Sequence, residues 1–162
     1  MSELPGQIVF RPIGVIHSPF TCEEGTPVQP ALSGGTTGWI EVLPEFGKGL
    51  QDIEHFERVW LLFWLNKARA CRLVVEPYLD KTPHGVFATR SPSRPNPLGM
   101  SCVRITGRDG LRLDIADVDI LDGTPLLDIK PYVPKFDTFE VSRVGWYNDL
   151  PDSQNAFKRF TS

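Results

Sequence analysis

A chain of 162 residues is most economically a single domain, long enough to bury a real core. A formal charge of −3 with 23% charged residues argues mildly against a surface built wholly for nucleic acid, although a local basic patch is compatible with it. Fifteen prolines and an aromatic fraction of 10% disfavour a helical bundle, and three separated cysteines without a CxxC pair argue against zinc and against a disulfide framework.

In chain order, Ile8 to Ile16 reads as an edge or barrel-closing strand with a bulge at Pro12 and Gly14. Glu23 to Gly38 holds Gly25, Pro27, Pro30, Gly34 and Gly35 and predicts a long loop, which in a compact domain is usually functional or mobile. Trp39 to Leu43 predicts a second strand. Leu50, Ile53 and Phe56 recur every three residues, as one or two helical turns with a shared apolar face require. Val59 to Leu65 is a continuous apolar run of strand length, the expected centre of the core. Asn66 and Lys67 follow at its mouth, and Lys67 to Arg72 adds positive charge. Val74 and Val75 suggest a short strand or a covering loop.

The most informative stretch runs from Gly85 to Ser101. Gly85 to Thr89 and Met100 to Ile105 read as strands, and between them Pro92, Pro95 and Pro97 impose a stiff loop. Such a loop holds Arg90, Arg94 and Asn96 preset for an anion or a polar ligand, because less entropy remains to be lost on binding. Gly99 predicts a reversal or a close approach to the backbone. A rigid surface hairpin with solvated arginines is the plain alternative.

Asp109-Gly110 predicts a turn into a strand from Leu111 to Ile115. Asp117 to Leu121 reads as another strand, with Asp117 and Asp119 on one face opposite Val118 and Ile120. Asp122-Gly123 predicts a tight turn and Leu126 to Ile129 the returning strand. Val141 to Trp146 suggests a last strand and Ala156 to Phe160 a tail. The expected fold is mainly β, a small closed or nearly closed barrel of about seven strands with short helical turns. Residues 1–140 would form it, and residues 141–162 an extension.

Most standard chemistries find no support. Asp117, Asp119 and Asp122 lack calcium-loop spacing, since Leu121 stands where a ligand is needed, and no metal site is expected. The carboxylates at 117 and 119 read as solvated or hydrogen-bonded, or as facing a site. Ser91, Ser93 and Ser101 lack a nucleophile-elbow context, and neither GxGxxG nor a P-loop is present. Strand ends rich in glycine, proline and polar groups do predict a ligand cleft, with Lys130 and Tyr132 near it.

At Pro12 to Pro19, Gln29-Pro30, Gly85 to Ser91, Arg94 to Gly99, Asp122 to Pro125 and Asp128 to Tyr132 the sequence resembles the TsaA/YaeB family of TrmO-like tRNA methyltransferases. The resemblance implies a homodimeric β-barrel enzyme that binds S-adenosyl-L-methionine without a Rossmann motif; an N-terminus without a basic run and apolar h-region, and no window near 18 apolar residues, lead to the expectation of a cytoplasmic protein with no membrane association. Its reaction would be methylation of the exocyclic nitrogen of threonylcarbamoyl-adenosine next to the anticodon of threonine tRNA. Carried onto this chain, the cofactor contacts are Gln29, Pro30, Asn66, Lys67, Arg90, Leu98 and the turn Leu121, Asp122, Gly123 and Thr124. Asn66 departs from the histidine common at that point. Asp122 or Asp128 is the expected catalytic carboxylate, and Arg94, Asn96, Lys130 and Tyr132 the substrate contacts. Two other classes remain: a cofactor-binding protein acting on another small molecule or as a sensor, and a non-catalytic RNA-binding barrel.

Overall fold

The computed structural model describes residues 6–150. Eight strands are present: β1 (Gly14–His17), β2 (Thr37–Val42), β3 (Arg58–Trp64), β4 (Val74–Val75), β5 (His84–Gly85), β6 (Leu98–Asp109), β7 (Arg112–Ala116) and β8 (Thr124–Pro131). Six of them close into a barrel in the order β1-β2-β7-β6-β3-β8, every neighbouring pair antiparallel, while β4 and β5 form a separate two-stranded ribbon. The expected barrel is therefore present, with six strands in the ring. No helix among the described residues is long and apolar enough to cross a membrane.

Alternation fills the interior. Ile16, Ile40, Val42, Val59, Leu61, Phe63, Val103, Leu113, Ile115 and Leu126 all point inward and are buried. Each such side chain contributes roughly 1.5–3 kcal/mol on leaving water. Leu50 joins this core from the turns that span Pro44–Leu50 and Ile53–His55, with Ile53 packed against it, whereas Phe56 is left exposed. The predicted shared face thus holds for two of its three residues.

Ring closure rests on β1 and β8, which pair over Gly14–Leu126, Val15–Pro125 and Ile16–Thr124. Gly14 is needed there, because a Cβ would collide with the Glu41 carbonyl of β2. The strand begins only at Gly14, so Ile8 to Arg11 lies outside the sheet and exposed.

Three other expectations are corrected. Gly85 to Thr89 contributes only Gly85 to a strand; Val86–Ala88 is a single 3-10 turn. The stretch Asp117 to Leu121 is not a strand, because Asp117 adopts φ 64° and turns the chain out of the β7 ladder. Its alternation nonetheless survives, since Val118 and Ile120 are buried and plug the barrel end. Val141 to Trp146 forms no strand either. The closed ring offers no edge to join, and Gly145–Asp149 makes a 3-10 turn in which Trp146 stacks on His84 and donates to the Ala88 carbonyl at 2.8 Å. Ala156 to Phe160 lies outside the described residues.

Candidate functional site

One rim of the barrel collects the ends of β1, β3 and β7 and the starts of β2, β6 and β8, as the pairs His17–Trp39, Thr37–Ala116, Trp64–Leu98 and Ile16–Thr124 show. The three connections 18–36, 65–97 and 117–123 therefore all leave and return at this rim, and the polar residues singled out in the sequence ride largely on them.

The Asp-Gly turn is fixed to the first connection. Asp122 N–H donates to the Phe20 carbonyl at 2.7 Å and Gly123 N–H to the Ile16 carbonyl at 3.0 Å, with Gly123 at φ 76°. Asp122 Oδ1 accepts the Ser18 N–H at 3.2 Å and lies 3.3 Å from His17 Nδ1, while Thr124 Oγ1 donates to the Leu121 carbonyl at 2.7 Å. His17 in turn stacks on Trp39. Lys67 Nζ reaches over from the second connection to the Asp122 carbonyl at 3.4 Å.

Within the second connection the prolines do what stiff loops require, and an arginine completes the job. Arg94 donates to the carbonyls of Thr89 at 2.8 Å and of Val86 and Ser91 at 3.3 Å, bracing the loop from inside. Leu65 N–H donates to the Pro97 carbonyl at 2.8 Å, which ties the mouth of β3 to the start of β6. Arg90 points away from its own loop and donates to the Gln29 side-chain carbonyl of the first connection. Gly99 has a different reason from the one expected: it faces Phe63 across the β3–β6 ladder, and a Cβ would enter the Phe63 ring.

Beside Arg90 and Gln29 opens a cleft of about 630 Å³. Pro30, Gly34 and Gly35 wall one side, and the outward face of β3 and β6, with Trp60, Met100 and Cys102, the other; Arg58, Asp117 and Tyr132 stand at its far end, and the inward-alternating Ser101 also borders it. Tyr132 meets Trp60 edge to face, its ring centroid 5.8 Å away, and Asp117 holds Arg58 at 2.8 Å and Arg104 at 3.7 Å. The Cys102 thiol is pushed up by burial, which keeps it a thiol. Among the described residues, the buried side-chain oxygens without a hydrogen-bond partner are Ser33 Oγ and Asp119 Oδ1, both in segments that bound this cleft. Burial raises the Asp119 carboxyl to about 6, against the Ser101 hydroxyl, its own backbone amide and the Arg90 charge, which favour ionisation.

The sequence-derived residues thus divide. Gln29, Pro30 and Arg90 meet at the cleft, and Lys67 meets the turn Leu121 to Thr124 at the adjoining rim. Asn66 and Leu98 are on the same rim, both exposed. Tyr132 lines the far end of the cleft. Asn96 is exposed at the end of the second connection, where its carbonyl accepts the Leu98 N–H at 2.8 Å. Asp128 and Lys130 lie on the outer face of β8, paired with each other at 2.9 Å, and Asp128 also accepts the Ile129 N–H at 2.9 Å. Ser101 and the depth of Asp119 were missed. The available signal was the inward alternation of Ser101 with Val103, and the apolar pair Val118 and Ile120 that pins Asp119 between them. No three His, Cys, Asp or Glu side chains among the described residues converge as a metal site would need.

The sequence model of the tRNA-methyltransferase O N-terminal domain family matches residues 15–138. A probable S-adenosyl-L-methionine-binding protein of Pyrococcus abyssi is 54% identical over 143 residues, 88% of this chain and 78% of its own length. The human tRNA (adenine(37)-N6)-methyltransferase is 33% identical over 82% of this chain, which spans 32% of that protein. The crystal structure of TrmO from Pseudomonas aeruginosa superposes with a TM-score of 0.75 at 39% identity, covering 94% of this chain and 66% of that one.

Proposed function

The chain belongs to the tRNA-methyltransferase O N-terminal domain family, and from that premise we propose that it transfers the methyl group of S-adenosyl-L-methionine to the exocyclic N6 of an adenosine next to the anticodon of a tRNA. The finer reading takes threonylcarbamoyl-adenosine in threonine tRNA as the acceptor, with the protein acting as a cytoplasmic homodimer. The observation that carries the proposal is the convergence of the three rim connections. The Arg90–Gln29 and Lys67–Asp122 hydrogen bonds, each linking two of these connections, support reading them as one cofactor site.

The residues present suit that cofactor. An aromatic wall, the Arg90–Gln29 pair and several backbone groups fit a ligand that combines a flat base, hydroxyls and a positive centre. When bound, S-adenosyl-L-methionine supplies a methyl group on a cationic sulfur that needs no further activation. The chain's task is then alignment of the nucleophilic nitrogen, worth roughly 7–11 kcal/mol when two reactants are held for direct attack. Gln29, Pro30, Arg90 and the turn Leu121 to Thr124 would hold the cofactor. Trp60 and Tyr132 offer faces on which an unstacked base can rest. Arg94 contributes by keeping the Arg90 loop rigid, and Lys130 and Asn96 are left to meet phosphates. Asp122 is engaged by His17 and Ser18 at the rim, and Asp128 by Lys130 on the outer face of β8, so both are suited to holding shape and charge.

Two measurements test the reading. Calorimetry should show S-adenosyl-L-methionine binding, weakened at least tenfold by Arg90→Ala. Mass spectrometry of threonine tRNA nucleosides should show the N6-methylated species lost on deletion and restored by this chain. Binding without any change in the RNA would favour a cofactor-binding protein with another substrate, and absence of binding would overturn the proposal.

A further inference from the structure

Asp119 occupies the link between β7 and the Asp122 turn, where Val118 and Ile120 are 0% and 2% exposed and fix the backbone on either side. Its carboxyl lies against Ser101 of β6, a residue 3% exposed that alternates inward with Val103 and bounds the cleft from within the barrel wall. The cations of the region are engaged elsewhere. Asp117 takes Arg58 and Arg104, Lys67 goes to the Asp122 carbonyl and Arg90 to Gln29, so that Arg90 acts on Asp119 only as a neighbouring charge. Asp119 Oδ1 is consequently buried with no partner among the described residues. An idle buried carboxylate oxygen costs folding free energy, and such groups concentrate where chemistry is done.

We propose that Asp119 is the terminal proton acceptor of the methyl transfer and that the Ser101 hydroxyl connects it to the substrate nitrogen. The inference rests on the methyltransferase reading above. The nitrogen forms its bond to the methyl carbon as the carbon–sulfur bond breaks, and that electron pair stays on sulfur as a neutral thioether. The nitrogen is left with one proton too many. Ser101 Oγ takes that proton while passing its own to Asp119, which becomes a neutral carboxylic acid and later returns the proton to water. A carboxyl held near 6 is mostly ionised at neutral pH and still basic enough to keep a proton briefly. In these terms Ser101 is the catalytic residue and Asp119 a positioning and relay residue.

The first test needs no RNA. Binding of S-adenosyl-L-methionine at pH 6, followed by calorimetry in two buffers of different ionisation enthalpy, should release a fraction of a proton, because the incoming cation lowers the affinity of Asp119 for it. S-adenosylhomocysteine, neutral at sulfur, should release markedly less, and Asp119→Asn should abolish the difference. In single-turnover methylation of threonine tRNA, the wild-type rate should fall tenfold per pH unit below about pH 6. Asp119→Asn should lose that limb and run about 10²-fold slower at pH 7.5, with cofactor affinity within threefold. Ser101→Ala should be comparably slow and Ser101→Thr should recover most of the rate. Unchanged proton release in Asp119→Asn, or turnover within twofold of wild type, overturns the proposal. If Asp119→Asn does not fold, the wild-type release and the two Ser101 variants decide in its place. A wild-type protein that shows the proton release but methylates no RNA overturns the functional reading and the transfer role together. An active wild type with an active Asp119→Asn removes the relay alone.

Discussion

Arg90 and Arg94 stand in one loop and do opposite work. Arg94 is consumed by three carbonyls of its own segment, while Arg90 reaches across to Gln29 and faces the cleft. The prolines announce in the sequence that this loop is stiff, but nothing there says which arginine turns inward. That choice depends on the 3-10 turn at Val86–Ala88 and the residues after it, which present the Val86, Thr89 and Ser91 carbonyls to the guanidinium. Asp119 illustrates the same limit, because its place between two apolar residues is readable but its depth is set by the packing of β6 against the link. Its stability consequence follows from the sign of its shift. The folded carboxyl titrates at about 6 and the ordinary value is 3.8, so the folded state binds the proton more tightly and stability falls as pH rises through that window. Above it the buried charge costs up to about 3 kcal/mol. Asp119→Asn should therefore raise the melting temperature by several degrees at pH 7.5 and leave it nearly unchanged at pH 3.5, as scanning calorimetry at both values would show.

At the scale of single elements, short apolar runs bounded by turn signals were the most dependable guide. Together they located β2, β3, β7 and β8 to within a residue or two, and alternation set Val118 and Ile120 on the face opposite the aspartates, the face that is buried even where the backbone abandons the ladder. They failed where a local bend decides the outcome, at Asp117 with its positive φ and at Val86–Ala88. The β3–β6 pair adds a prediction. Phe63 lies over Gly99 in register, and its ring fills the space that a side chain at position 99 would occupy. Gly99→Ala should cost about 1–3 kcal/mol by displacing that ring from the core. Chemical denaturation would measure it, and Gly49→Ala, where a Cβ meets nothing within 4 Å, is the matching control.

For the whole molecule, the mainly β character and the barrel were legible because short alternating strands with turn signals leave few other solutions. The ring order was not, since β3 lies between β6 and β8, partners distant in sequence that no local pattern identifies. Hence the clustering of three connections on one rim, and with it the cleft, emerges only from the closed topology. That closure also has a weakest point. The β1–β8 contact spans three residue pairs, against seven for β3–β6, and one of the three contains Pro125, which has no amide hydrogen to offer either neighbour. A hoop with a single short clasp opens at the clasp. Under native conditions deuterium should enter the amides of Val15 and Ile16 well before those of Trp60 to Leu62. Equal protection of the two sets would mean that the hoop loosens everywhere at once.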